Sequence, residues 1–421
     1  MMKHLISLAI RSALNRRFTL GLTVIAIALS VTMLLGVARL RDQAHQGFSH
    51  SIAGTDLVIG ARTSPVQLML YAVFRIGEAT NNITWSAYQD IAKSPLVAWS
   101  IPISLGDSHH GFPVLGTTSN YFENFHYGDS QSLAFSKGKL FKDVFDAVLG
   151  SEVAVQLGYK LGDHIILSHG MGGAGLPEHA NKPFIIVGIL APTGTPVDRT
   201  VHISLEAITA IHLDWVGGAP MPGFSIPSKY VKKFDLAPKE ITAALIGLHN
   251  RAAVFKVQRE VSNYAKEPLL GVMPGVALEQ LWQVVNVAEK SLLAVSAMVV
   301  VVGLSGLVAV VLAGLNERRR ELAILRSVGA KPRDVFLLLT CEGLFVTISG
   351  IILGVTLLAL LTLILSPLAQ SHYGIVIQAT LVSADELKLL TTILAVGLLA
   401  SLVPGYHAYK LSLADGLTPR I

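Results

Sequence analysis

The stretch Asn316–Phe336, NERRRELAILRSVGAKPRDVF, decides the architecture of this 421-residue chain. It is a charged, helix-forming patch between two long apolar runs, Ser291–Leu315 and Gly343–Ser366. About 20 apolar residues cross the hydrocarbon of a bilayer, so both runs qualify as transmembrane helices and the patch is a loop on one side. Arg318, Arg319, Arg320, Arg326, Lys331 and Arg333 outweigh Glu317, Glu321 and Asp334. The positive-inside rule therefore places the loop in the cytoplasm.

Two further windows, Phe18–Ala38 and Leu389–Tyr409, are also free of charge, giving four spans. With 52% hydrophobic and 14% charged residues, the chain is too apolar for an ordinary soluble protein. Lys3, Arg11, Arg16 and Arg17 precede the first span with no acidic residue among them, and Lys410 and Arg420 follow the last. The long segment Arg39–Lys290 is near neutral, so the net charge of +5 reports membrane orientation and argues against nucleic-acid binding. Both termini are expected inside the cell and the long segment outside. The first apolar run exceeds a signal-peptide core, so it reads as an uncleaved anchor. The one cysteine, Cys341, lies at the inner end of the third span, so the outer domain contains no disulfide.

The expected fold class is an α-helical membrane protein with four transmembrane helices and a large α+β extracytoplasmic domain. Residues 1–17 read as a cytoplasmic amphipathic helix and 18–38 as span one. Residues 39–290 form the outer domain, entered and left through helical stalks at Arg39–Ser51 and Ala277–Lys290. Spans two, three and four are expected at 291–315, 335–366 and 389–409. A cytoplasmic loop occupies 316–334, a short outer loop 367–388 and a cytoplasmic tail 410–421. In the domain, Thr55–Ile59, Ala98–Leu105, Phe112–Gly116, Leu161–Ser168, Pro183–Leu190 and Thr200–Leu205 predict strands. Thr84–Lys93, Glu152–Leu157, Glu206–Leu213 and Arg251–Ala265 predict helices. A second subdomain is expected around Phe135–Leu213.

In the inner loop, Glu317–Arg326 reads as a helix, Gly329 and Pro332 stop it, and a second helix restarts near Arg333. A simple connection needs far fewer residues, so the loop is built to dock a protein. Ser305, Ala309 and Ala313, and Gly350 with Gly354, place small residues at helical spacing, suited to packing within a bundle or between two copies. Glu342 is expected at the hydrated inner interface, and Pro404 inside span four. Ser64–Ile76 reads as a core helix, with a cargo surface as the alternative. His109 with His110, and His164, His169 and His179, carry a weak metal-binding signal, and no metal residue is assigned. The pair Gly138-Lys139 lacks the rest of a P-loop, so no catalytic residue and no nucleotide site of its own is expected.

The segment ERRRELAILRSVGAKPRDV resembles the inner loop of MacB/FtsX/LolC-type ABC transporter permeases, written roughly ERRREIGILRALGAS before the third span. The order of parts agrees too: one span, a large outer domain, three spans and a short basic tail. Leu149–Gly162, LGSEVAVQLGYKLG, and Val187–Thr195, VGILAPTGT, resemble family segments of the MacB-like periplasmic domain. The resemblance implies that the loop sits in a groove of a separate ABC-type ATPase subunit, which binds ATP and magnesium. The coupling role then falls on Glu317, Arg318, Arg319, Arg320, Glu321, Arg326, Gly329 and Ala330. It further implies a bacterial inner membrane location, a dimer with a second permease copy or homologue, and a periplasmic partner protein. Mechanotransmission acting on an apolar, lipoprotein or peptide-like substrate is the expected function. The alternatives are a component of a zinc uptake system and an FtsX-like regulator of a periplasmic enzyme that transports nothing.

Overall fold

The computed structural model describes residues 17–170, 177–216, 219–317, 329–373 and 383–410, together with 322, 324, 326 and 327. Residues 1–16 of the expected amphipathic helix, 374–382 of the short outer loop and 411–421 of the tail lie outside the described residues. The chain divides into two compact units. One comprises the residues up to Gln43 and from Asn286 onward, the other Ala44–Val285.

Among the described residues, four helices are long and apolar enough to cross a membrane: Phe18–Gln43, Pro274–Leu315, Pro332–Ser366 and Ala384–Lys410. A helix satisfies its own backbone hydrogen bonds, which hydrocarbon cannot do for it. Two of them outrun their charge-free windows, because no proline interrupts Arg39–His50 or Val276–Lys290. The first helix extends over Arg17–His50 and the second over Pro274–Glu317. Pro404 lies inside the last helix.

Glycines set the closest approaches in the bundle. A β-carbon on Gly350 would lie 2.6 Å from Ile27, and one on Gly354 would lie 2.7 Å from the Ala28 carbonyl oxygen. The first and third spans therefore meet almost backbone to backbone. The Thr32 hydroxyl seals this crossing by donating to the carbonyls of Ala28 (2.8 Å) and Gly354 (3.0 Å). Gly343 packs on Ser401 and Gly397 on Thr347, joining the third and fourth spans in the same way. Leu20, Ile27, Val31, Leu304, Leu307, Val311, Leu339, Val346 and Ile393 fill the space between. Ser305, Ala309 and Ala313 take no part; all three are exposed on the outward side of the second span.

Glu342 departs from expectation. It is 2% exposed, not hydrated at an interface, because it shares the inward face of its helix with Val335, Leu339 and Val346. A second carboxylate, Glu386, starts the last span. Its side chain accepts from the Ser383 N–H (3.1 Å) while the Ser383 hydroxyl accepts from the Glu386 N–H (3.2 Å), a reciprocal capping box. The same carboxylate takes both arms of the Arg39 guanidinium, at 2.8 and 2.9 Å. At the same end of this unit Arg41 pairs with Glu289.

The second unit is α+β. Its first sheet is antiparallel throughout, in the order Leu269–Val272, Leu57–Ala61, Ala243–Leu248, Val97–Ile103. Strand periodicity divides its side chains between two cores. Leu57, Ile59, Ala244 and Ile246 face Tyr88, Val257 and Val261 of the helices Trp85–Ala92 and Val254–Ser262. Val58, Ala243 and Leu245 face the opposite core with Leu68, Met69 and Tyr71. The helix Pro65–Ala72 is thus a core helix, with Leu68, Met69, Tyr71 and Ala72 buried. His45 stacks on Trp282 at 4.2 Å within the same unit.

The second sheet is mixed. It runs His164–Ile165, Phe184–Leu190, Asp146–Leu149, Val201–Ser204, Phe112–Thr117, Asp107–His109, Ser168–His169, with Phe135–Gly138 also on Phe184–Leu190. The insertion therefore begins at Asp107, well before Phe135. Its start escapes a sequence reading because Asp107–His109 is a three-residue strand formed of polar side chains. Asp146–Leu149 escapes it too: four residues are too few to display alternation, yet they lie near the middle of the sheet.

His202, on Val201–Ser204, is completely buried beside the rings of Tyr121 (5.4 Å) and Phe122 (5.8 Å). Burial, with the nearby Arg75 charge, pushes its pKa down to about 3. The folded value lies below the unfolded one, so protons favour the unfolded chain and stability is lost as pH falls from about 6.5.

Two outcomes follow for the detergent-solubilised chain. Gly354→Ala should cost roughly 1–3 kcal/mol through overpacking and lower the melting temperature, whereas Gly306→Ala, with nothing within 4 Å, should not. His202→Phe should flatten the fall of melting temperature between pH 6.5 and 4, where His202 accounts for roughly 3 kcal/mol by pH 4; an unchanged slope would refute that assignment.

Candidate functional site

At the edge of the second sheet, Asp107 lies opposite His169 in the antiparallel register of Asp107–His109 with Ser168–His169. That pairing alone brings together residues 62 positions apart, with the His169 Nδ1 to Asp107 Oδ1 distance at 3.2 Å. His212 arrives from a third segment. Ser204 caps the helix Leu205–Ile211 by accepting from the Ala207 N–H at 3.1 Å, and His212 directly follows the last turn. Its Nε2 lies 3.1 Å from His169 Nδ1 and 3.6 Å from Asp107 Oδ1. His179 comes from a fourth, on a loop held by its N–H to Leu167 carbonyl bond of 2.8 Å, and its Nε2 stands 3.6 Å from the same carboxylate oxygen. One ligand atom from each of the four residues lies within 4.8 Å of every other.

A buried ion pair holds this arrangement. Lys182 is fully buried and its ammonium pairs with Asp214 and donates to the Ile211 carbonyl at 3.1 Å. The Lys182 N–H donates to the His179 carbonyl (2.9 Å), so the pair ties the His179 loop to the helix end that carries His212. The other Asp214 oxygen accepts from the Ile226 N–H at 2.9 Å. Trp215 covers the cluster, with ring centroids 4.2 Å from His179, 5.4 Å from His169 and 5.6 Å from His212.

The electrostatics follow from this enclosure. Burial alone would raise the Asp107 carboxyl, but the His169 and His179 imidazoles, with His212 behind them, outweigh it and hold the value down to about 2. The bond to Asp107 raises the His169 pKa. Burial lowers that of His212, only partly opposed by Asp107. Neither ring nitrogen of His179 has a hydrogen-bond partner, although the side chain is 0% exposed. Such an orphaned buried group costs on the order of 1–3 kcal/mol.

The histidines singled out by the sequence separate into two groups. His169 and His179 enter the cluster. His109 instead bonds the Ile166 carbonyl (2.7 Å) and the Tyr159 hydroxyl (3.0 Å), and His110 occupies an exposed turn with φ 47°. His164 is exposed. Asp107 and His212 carry no local signal, since their neighbours in the cluster are distant in sequence.

Of the loop residues, Glu317 ends the second long helix, and Arg318, Arg319, Arg320 and Glu321 lie outside the described residues. Residues 322, 324, 326 and 327 are helical, and Leu322 is buried with the apolar core of the bundle. Gly329 has φ 107°, a conformation that side chains other than glycine rarely take, and its N–H donates to the Arg326 carbonyl at 3.1 Å. Ala330 follows, and the next helix starts at Pro332. Asp334 reaches back to the Lys331 N–H at 2.9 Å, satisfying a donor at that helix start.

Two family models match the chain: the MacB-like periplasmic core domain over residues 20–244 and the FtsX-like permease C-terminal over residues 293–413. Among solved structures, the periplasmic region of MacB from Actinobacillus actinomycetemcomitans aligns at 11% identity and a TM-score of 0.32, covering 55% of this chain and 94% of that one. The extracellular domain of the noncanonic ABC-type transporter YknZ from Gram-positive bacteria aligns at 12% identity and a TM-score of 0.30, covering 52% and 99%. No curated protein matches the sequence.

Lys182→Met leaves Asp214 buried without its counter-ion and should destabilise the chain by about 3–5 kcal/mol. Lys232→Met, which breaks an exposed 2.5 Å pair with Asp143, should change stability by about 0–1 kcal/mol. Chemical unfolding of the two variants side by side checks the contrast.

Proposed function

The chain belongs to the MacB/FtsX-type ABC transporter permeases, and from that premise we propose that it transmits work from a separate ATPase to its own α+β domain. The observation that carries this reading is the charged, broken-helix segment between Glu317 and Pro332, with Gly329 in a left-handed conformation at its break. A connection of that length and charge suits insertion into a groove of a partner protein. Glu317, Arg318, Arg319, Arg320, Glu321, Arg326, Gly329 and Ala330 form the docking element, and the partner supplies the ATP and magnesium.

In this reading both termini and the loop are cytoplasmic, the chain resides in a bacterial inner membrane, and it works as a dimer. Closure of the ATPase displaces the two loops and shifts the span bundles. The α+β domains respond by acting on an apolar, lipoprotein or peptide-like substrate. The packing of the spans supports transmission over conduction. Ser30, Thr32, Thr340, Thr347, Thr362 and Ser401 each return their hydroxyl to a carbonyl four residues earlier in their own helix. Glycine contacts and apolar side chains fill most of the space between the helices, with the Glu342 carboxylate buried among them. A pore would need polar lining groups facing water.

Replacing Arg319 and Arg320 together by Glu tests the docking element. The variant should insert in the membrane at wild-type level and lose co-purification of the ATPase. Retention of the partner with full stimulated ATP hydrolysis would remove the loop from the mechanism.

A further inference from the structure

We propose that Asp107, His169, His179 and His212 form a closed, four-ligand zinc site within the insertion of the α+β unit. Three imidazoles and one carboxylate, with no thiolate, make a donor set suited to a borderline transition-metal ion. Calcium and magnesium demand six or more oxygen ligands, which this cluster lacks. Donor spacing points to the geometry. Ligands about 2.0–2.1 Å from a tetrahedral ion are separated by about 3.4 Å along each edge. Four of the six separations here are 3.1 Å (His169 to His212), 3.2 Å (His169 to Asp107) and 3.6 Å from Asp107 to each of His179 and His212, and the other two, from His179 to His169 and His212, stay within 4.8 Å.

The tautomer of His212 is set for coordination. Its Nδ1 lies 2.8 Å from the Ile208 carbonyl, which only accepts, so Nδ1 carries the proton and Nε2 turns a lone pair to the centre. His179 supplies an independent pointer. It is completely enclosed, both ring nitrogens lack a hydrogen-bond partner, and Nε2 is directed at Asp107. A cation between these two groups gives that nitrogen the partner it lacks and neutralises the buried carboxylate. Trp215 supplies an apolar cover beside the three imidazoles.

All four coordination positions are filled by the chain, which is the mark of a structural site and leaves no open position for a hydrolytic water. The ion would clamp together the strand Asp107–His109, the edge strand Ser168–His169, the His179 loop and the end of the helix Leu205–Ile211. Zinc occupancy then governs the order of the insertion. Zinc binding at this cluster does not depend on ATPase coupling: a zinc titration and an ATPase pull-down fail independently of each other.

The test uses the full-length chain in detergent, stripped of metal and titrated with zinc chloride against a chromogenic chelator. One equivalent should bind, with His179→Gln and His212→Gln each weakening affinity by on the order of 100-fold and the exposed-histidine control His164→Gln leaving it unchanged. Zinc should raise the melting temperature of the wild type and of His164→Gln, but not of His179→Gln. Cobalt substituted into the wild-type chain should show the intense visible absorption of a four-coordinate ion, a readout that stands even if a variant fails to fold. No stoichiometric binding, wild-type affinity in His179→Gln, or the weak spectrum of six-coordinate cobalt would each overturn the proposal.

Discussion

Hydrocarbon offers no hydrogen bond to a peptide group, and the organisation of this protein follows from that constraint. Four stretches of the chain answer it by becoming long helices whose backbones are satisfied internally. Once every backbone group is paired, lipid gives helices little hydrophobic reason to associate, so close approach must come from shape. The glycines at 350, 354, 343 and 397 supply it, letting neighbouring helices meet at distances where a β-carbon would collide. Hydroxyl groups in the spans bond carbonyls of their own helix, Ser30 and Thr32 also reaching a carbonyl of a neighbouring helix, and the charged groups Arg39 and Glu386 pair at the end of the bundle. Apart from the buried Glu342, polar chemistry is left to the loop after Glu317 and to the α+β unit.

In the α+β unit the opposite problem arises, because the insertion buries polar groups and must satisfy them. Lys182 and Asp214 do so by pairing with each other and with backbone groups, so that one ammonium and one carboxylate fix a loop to a helix end. The cluster beside them is less complete. Asp107 is enclosed by three imidazoles, two of which have identified bonding partners, while His179 has none. On the proposed zinc site, the unpartnered His179 imidazole is where the ion binds. The Lys182–Asp214 pair holds the His179 loop against the helix end that carries His212, and the register of Asp107 with His169 completes the cluster.

Much of the fold was legible residue by residue. The run Phe184–Leu190, bounded by Pro183 and Pro192, announces a strand, and the expected helices Thr84–Lys93 and Glu206–Leu213 appear as Trp85–Ala92 and Leu205–Ile211. The break at Gly329 was legible because glycine followed by Pro332 admits little else. Short strands were not. Asp107–His109 and Asp146–Leu149 exist because longer neighbours offer them an edge, and no periodicity develops in three or four residues. Glu342 was misplaced for a related reason: position at the end of an apolar run does not say which way a helix face turns.

The amino-acid sequence by itself determined the four spans, the separate α+β unit and the broken, basic loop, since each rests on local properties: run length, net charge and the backbone preferences of glycine and proline. Only the tertiary structure decided which small residues pack, that Ser305, Ala309 and Ala313 face outward while Gly350 and Gly354 face the first span, and that Asp107, His169, His179 and His212 converge. The physical reason is range. Burial in lipid and helix termination act over a few turns of chain, whereas a cluster of side chains is created by sheet register between segments that sequence alone does not bring together.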